Sequence, residues 1–351
     1  MDAPTAESLI TFAETSRKGL TGFDSKSVLA ELDRRHDDLI GALDWFIGAG
    51  RPDEALRLAG DLVPFWMATK RIDEGDAIFE RALALPMGDP ARRGRALYDH
   101  GYLIFWAGHY ERSGELQRQA LELGRETNDP TTVALALACL ARIALDSDLD
   151  EAKRLLREAI VITDCTGDRL GRSSAMHVLG VASQMSGDFE EAGRLMRERI
   201  ELGREMGNQA LIAIESANLS MVERQLGNLE HAEALALEAL QIVSRRQDEL
   251  QTAWMLNSVA AVTAAQGRDD RAAVLIGIAD AVMDRAGGEW PPDERIQHDG
   301  TVASLTARLG SDVFEQRRAS GKAMSTPDGV AFALAQPAEP AAAAAALPRS
   351  T

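Results

Sequence analysis

A chain of 351 residues with 38 Lys and Arg against 55 Asp and Glu carries a formal charge of −17. Such a surface repels phosphate backbones and anionic lipid, so direct nucleic-acid binding and membrane docking are not expected. Hydrophobic residues make up 45% but aromatics only 5%, which suits closely packed Ala- and Leu-rich helices rather than a β-rich core.

The start, Met1-Asp-Ala-Pro-Thr-Ala-Glu7, lacks the basic and apolar regions of a signal peptide. No apolar run approaches the ~18 residues of a membrane span. Only Cys139 and Cys165 occur, with no CxxC pair, so reduced thiols and a cytoplasmic location are expected.

In chain order, residues 29–46 read as one amphipathic helix with Leu32, Leu39, Leu43 and Trp45-Phe46 on its apolar face. Gly50-Arg-Pro-Asp-Glu-Ala55 opens another, with Pro52 at a tolerated early position. Lys70-Arg-Ile-Asp-Glu-Gly75 opens a third. From there a line recurs about every 40 residues: Gly108-His-Tyr-Glu-Arg-Ser113, Ser147-Asp-Leu-Asp-Glu-Ala152, Gly187-Asp-Phe-Glu-Glu-Ala192, Gly227-Asn-Leu-Glu-His-Ala232 and Gly267-Arg-Asp-Asp-Arg-Ala272. A second line, Asn128-Asp129, Gly167-Asp168, Gly207-Asn208 and Gln247-Asp248, keeps steps of 39, 40 and 40. Each period therefore holds two helices, closed by Gly-type turns and opened by Asp or Asn caps such as Asp188. Ala192, Ala232 and Ala272 fall where the two helices cross, opposite the large-then-small pairs Leu140-Ala141, Leu179-Gly180, Leu219-Ser220 and Val259-Ala260.

The last repeat helix is expected over 272–286. Trp290-Pro291-Pro292 then breaks the chain. Helices resume over 293–309, 312–320 and 327–334, the last with Thr326 as N-cap. A fixed period of this length predicts a solenoid that acts through an extended surface. The expected division is an N-terminal helical entry region over 1–88, repeats over 89–286, a helical cap over 287–335 and a disordered Ala/Pro tail over 336–351.

No catalytic constellation emerges. The six histidines (His36, His100, His109, His177, His231 and His298) form neither H-E-x-x-H nor a dense Cys/His cluster. His36-Asp37-Asp38 reads as a polar helix face. Glu190-Glu191 reads as an acidic first turn complementing the helix dipole. Ser173-Ser174 lacks a G-x-S-x-G context. Arg92-Arg93 and Arg245-Arg246 are isolated pairs. No enzyme, metal or cofactor is expected.

The line Gly-Asp/Asn-aromatic/Leu-Glu-x-Ala resembles the tetratricopeptide repeat, although that unit is usually 34 residues long. The resemblance implies an all-α, right-handed superhelical α-solenoid. A broader resemblance covers residues 8–335. Leu32-Asp-Arg-Arg-His-Asp-Asp-Leu-Ile-Gly-Ala-Leu-Asp-Trp45, Phe65-Trp66, Ile72-Asp-Glu-Gly75, Phe79-Glu-Arg-Ala-Leu83, Arg271-Ala-Ala-Val-Leu-Ile-Gly277, Trp290-Pro-Pro-Asp-Glu-Arg295 and Leu309-Gly310 with Phe314 carry it. They resemble the C-terminal helical-repeat half of actinobacterial-type signalling ATPases, including LuxR-type and antibiotic-regulator-type transcription factors. Those relatives place a nucleotide-binding module before the repeats, and here no G-x-x-x-x-G-K-[S/T] occurs. The resemblance thus implies a sensory or interaction arm alone. The chain is either free-standing or part of a larger regulator, with the initial Met and the tail leaning toward the former.

By resemblance to tetratricopeptide repeats, the first helix of each pair lines a concave groove. That places Tyr98, Asp99, Tyr102, Arg142, His177, Asn218, Arg224, Trp254 and Asn257 as candidate groove residues. Asn can pair with peptide backbone and Arg with carboxylates. Phe105, Trp106 and Trp254 fit inter-repeat core equally well. The expected function is a non-catalytic scaffold in signalling or transcriptional regulation that clasps a protein or peptide partner. The alternative is a sensor enclosing a small-molecule or peptide effector near residues 98–106.

Overall fold

Turn chemistry sets the helix boundaries. In the computed structural model Gly187 and Gly207 sit at φ 79° and 64°, the left-handed region that glycine enters without a Cβ penalty. Asn128 takes the same role at φ 53° in the turn between α7 (Tyr110–Glu126) and α8 (Pro130–Ala144). The residue that follows caps the next helix. Asp188, Asn208 and Asp168 accept from the backbone N–H groups of Glu191, Leu211 and Gly171 at 3.0, 3.1 and 3.0 Å. Each satisfies a donor that the helix start leaves open.

The structure describes residues 1–20, 25–86, 88–245, 248–288, 290 and 292–335. The Ala/Pro tail expected over 336–351 lies outside the described residues, as does Gln247. Among the described residues all regular structure is helical, and two compact units form, residues 1–186 and the chain from 187 onward.

The first unit contains α1 (Ala3–Gly19), α2 (Ser25–Arg34), α3 (His36–Gly48), α4 (Pro52–Thr69), α5 (Ile72–Leu83), α6 (Pro90–Phe105), α7 (Tyr110–Glu126), α8 (Pro130–Ala144), α9 (Leu149–Thr166) and α10 (Arg169–Met185). Sequential helices pair as hairpins, and α1, α4, α6, α8 and α10 also touch in series, forming a row of first helices. Trp66, Phe46, Phe65 and Phe79 fill the core around α3 to α5. One expectation changes here. The single helix expected over 29–46 is two, α2 and α3, because Arg35 leaves helical geometry at φ −98°, ψ 10°. The break starts a fresh helix whose first turn carries Asp37 and Asp38, favourable at its positive end. It also seats His36 against Glu74 at 2.9 Å.

The second unit contains α11 (Phe189–Glu205), α12 (Gln209–Gln225), α13 (Leu229–Arg245), α14 (Glu249–Ala265), α15 (Asp269–Ala286), α16 (Pro292–Leu309), α17 (Ser311–Lys322) and α18 (Thr326–Leu334). Its first-helix row is α12, α14 and α16. The final cap is Ser325 rather than Thr326. The Ser325 side chain accepts from the Asp328 N–H, and Thr326 and Pro327 occupy the first helical positions.

Small residues do meet at the crossings. The Ser113 hydroxyl donates to the Gly101 carbonyl at 2.8 Å between α6 and α7, and Ser220 donates to the Ala232 carbonyl at 2.7 Å between α12 and α13. Such bonds require backbones in close approach. The contact of α15 with α17 is closer. A Cβ on Gly277 would lie 1.9 Å from the Arg318 carbonyl oxygen, and one on Gly321 would lie 2.0 Å from that of Val274.

Candidate functional site

In the first unit, α6 and α8 bring three of the nine candidate residues together. Tyr98 stacks on Tyr102 with centroids 5.8 Å apart, one helical turn along α6. Tyr102 in turn meets Trp106 edge-on at 6.1 Å. Trp106 is 51% exposed, so the ring series runs from the buried helix face to solvent. Tyr98, Tyr102 and Arg142 line a cavity of ≈ 60 Å³ together with Cys139, Asp168 and Ser174. Burial pushes the Tyr98 phenol upward and the Cys139 thiol to about 12, so both stay protonated at neutral pH. Asp168 was legible only as a turn residue. It reaches the cavity because the cap of α10 lies beside the middle of α8.

Asp99 serves a different cavity. It is buried and pairs with Arg95, one turn earlier, at 3.2 Å. Together with Asp61, Arg17, Arg57 and Arg92 this pair lines a space of ≈ 300 Å³. The Arg17 guanidinium bonds the Gly60 carbonyl at 3.0 Å and lies 3.5 Å from Asp61. Burial outweighs that partner and raises the Asp61 carboxyl. Sequence periodicity gave no sign of this polar cluster, because its members come from α1, α4 and α6. His177 lies half-buried on α10 between buried Met176 and Val178.

In the second unit Asn218 is half-buried and donates to the buried Glu215 at 3.3 Å. Trp254 is half-buried, and its indole N–H has no hydrogen-bond partner among the described residues. Asn257 is fully buried, and its amide donates to the Glu294 carbonyl and carboxylate at 3.3 and 3.0 Å. Helix α16 therefore covers α14 at that point. Arg224 lines a cavity of ≈ 430 Å³ with Ala261, Ala264, Gln297, Thr301 and Arg308. A further cavity of ≈ 600 Å³ lies beside α18, lined by Thr252, Pro327, Val330, Ala331 and Leu334.

Comparison with known proteins agrees with this architecture. A tetratricopeptide-repeat family model matches residues 217–246, from the middle of α12 to the end of α13. The "Putative HTH-type transcriptional regulator Rv0890c" of Mycobacterium tuberculosis is 27% identical over 227 residues, covering 61% of this chain and 25% of that protein. The chain thus spans about a quarter of the length of this relative. Among solved structures, a STAND signal-transduction ATPase with a tetratricopeptide-repeat sensor from Pyrococcus horikoshii is similar at TM-score 0.57 and 12% identity, covering 85% of this chain and 48% of that one. The apo quorum sensor NprR from Bacillus thuringiensis is similar at TM-score 0.55 and 14% identity, covering 92% and 91%. At these identities the structural likeness speaks for the fold: an α-solenoid of tetratricopeptide-like helix pairs.

Proposed function

We propose that the chain is the interaction arm of a bacterial regulator, a non-catalytic scaffold that holds a partner's peptide segment against its first helices. The observation that carries this reading is the convergence of Tyr98, Tyr102 and Arg142, from two successive first helices, on one cavity edge. Rings that lead outward to an exposed Trp106, beside an arginine, combine the two side-chain types that dominate binding hot spots. The likeness to a regulator, to a sensor-bearing ATPase and to a quorum sensor supports the same class. Nucleic-acid contact is assigned to other modules, in keeping with the charge of −17.

A small-molecule effector is the second reading. The ≈ 60 Å³ beside Tyr98 falls far below the roughly 300–1,000 Å³ of ligand pockets. The cavity beside α18, at ≈ 600 Å³, has the required room, and that is the observation in favour of an effector.

The test is capture from native lysate with mass-spectrometric readout of protein and extracted small molecules. Wild type is compared with Tyr102→Ala/Arg142→Glu, verified as folded by circular dichroism. A protein retained by the wild type and lost by the variant supports the scaffold. A partner captured equally by both removes this face from the binding site.

A further inference from the structure

One arginine of the second unit stands apart. Arg224, at the end of α12, is half-buried, and neither an acid nor a carbonyl bonds its side chain among the described residues. Its Nε is fully shielded and has no hydrogen-bond partner. Desolvation alone acts on it and lowers its pKa, with no opposing carboxylate. Burying a cation without compensation is costly. Its neighbours show the ordinary solution. Arg308 spends its fork on Asp269 at 2.8 and 2.8 Å, on the Ala264 carbonyl at 3.1 Å and on Ser304 at 2.8 Å.

Among the described residues that line the Arg224 cavity none is acidic, although the chain carries 55 such residues. Its wall from α14 is Ala261, Ala264 and Ala265, and α16 adds Gly300 and the 76%-exposed Ile296. A Cβ on Gly300 would meet nothing within 4 Å. Unmet polar capacity continues beside it. Gln297 Oε1 lines the same region, shielded and without a donor, and Asn257 Oδ1 and Trp254 Nε1 lack partners one and two turns earlier on α14. One uncompensated guanidinium, small apolar walls, two idle amide acceptors and an idle indole donor match a short extended peptide that ends or branches in a carboxylate.

We infer that this cavity is a carboxylate-binding subsite in which Arg224 pairs with one carboxylate of the partner peptide while Ala261, Ala264 and Gly300 accommodate a small aliphatic group. This rests on the peptide-binding reading above and adds the chemistry of one anchor. A planar fork is suited to a carboxylate. Arg308 is already neutralised by Asp269, so one negative charge balances the site and a phosphate dianion does not.

The test uses the full chain and the Nε–Hε resonance of Arg224 in proton–nitrogen NMR, identified by its loss in Arg224→Met. The probes are acetyl-trialanine as free acid, the same peptide as C-terminal amide, acetyl-Ala-Glu-Ala amide, and inorganic phosphate. At least one carboxylate peptide is expected to shift the resonance saturably, with affinity about tenfold or more above the uncharged amide, the scale of a hydrogen bond to a charged group. Preference for the first acid indicates a chain terminus, and preference for the glutamate peptide indicates an acidic side chain. An equal response to the amide, a response to phosphate at least as strong, or no response to any probe overturns the inference. Arg224→Met should also raise the denaturation midpoint, because it removes an unpaired buried charge. A lowered midpoint makes Arg224 a structural residue and overturns the inference as well. Tyr102→Ala/Arg142→Glu should leave the Arg224 response unchanged. If lysate capture proves indifferent to that pair while the response persists, the scaffold reading fails at α6 and α8 and the subsite stands.

Discussion

At the scale of single residues, the molecule depends on where side chains are missing. Gly277 and Gly321 allow α15 and α17 to touch backbone to backbone, with 1.9 and 2.0 Å left where a Cβ would go. Gly277→Ala must therefore push the helices apart. It is expected to cost about 1–3 kcal/mol, the range of core overpacking. Gly300→Ala, in the interior of α16 with nothing within 4 Å, should instead stabilise by roughly 0.5–1 kcal/mol through helix propensity. Urea denaturation midpoints of the two variants check both signs. Arg142 and Tyr102 lie at the opposite extreme, half-buried at the edge of the small cavity of the first unit. Arg142→Glu should weaken partner capture with little change in stability, whereas Tyr102→Ala should weaken capture and also cost about 0.5–1.5 kcal/mol from its lost ring contacts, so a capture loss counts only for variants that remain folded.

At the scale of elements, the hairpins are set by local chemistry. Asp129 shows its strength: one carboxylate oxygen accepts from the Thr131 and Thr132 N–H groups and the other from the Thr132 hydroxyl at 2.6 Å. Asp129→Ala should cost about 0.5–2 kcal/mol, measured by thermal or chemical denaturation. This locality is why the repeat was legible. A left-handed residue followed by an acidic or amide cap is written within two positions of sequence, and it recurs in register. Contacts between helices from different repeats are not written that way. Asn257 and Glu294 lie 37 residues apart, and no periodicity around Asn257 signals that α16 closes over it. The Arg95–Asp99 pair with Arg17 and Asp61 was hidden for the same reason. The break at Arg35 was hidden because only one residue departs from helical geometry.

Two buried histidines give the units opposite pH responses. His298 joins α15, α16 and α17. It bonds Asp280 at 3.0 Å and Asp299 at 3.1 Å, stacks on Trp290, and shares Asp280 with Arg318 at 2.7 Å and Lys322 at 3.9 Å. Burial alone would lower its pKa, but the hydrogen bonds and charges of Asp280 and Asp299 win and raise it. Its stabilisation is complete below the unfolded value of about 6.5 and is lost as pH rises through the raised folded value. His100 in the first unit bonds Asp76 at 2.6 Å, stacks on Phe79 and faces Arg112, with Glu80 nearby. There burial prevails over Asp76 and lowers the pKa. Its contribution is present above the unfolded value and is lost as pH falls through the depressed one. Hydrogen exchange between about pH 6 and pH 8, corrected for the intrinsic rate, should show α15–α17 losing protection as pH rises and α5–α7 gaining it. His298→Gln should flatten the first trend and His100→Gln the second.

At the scale of the whole chain, the repeated hairpins form an α-solenoid, and the proposed function places the partner on the surface of its first helices. The first-helix rows carry rings, amides and arginines, whereas second helices present residues such as Gln119 and Gln241 to solvent. The alignment to the transcriptional regulator covers a quarter of that protein's length, and the solved structures share the fold alone. No helix among the described residues is long and apolar enough to cross a membrane. The most direct measurement is site-specific photo-crosslinking in native lysate. A benzophenone amino acid is placed at Tyr102 or Asn218 on the first helices, and at Gln119 or Gln241 on the second helices. A partner is expected to be captured from Tyr102 or from Asn218 and not from Gln119 or Gln241. Capture confined to the second-helix positions would contradict this.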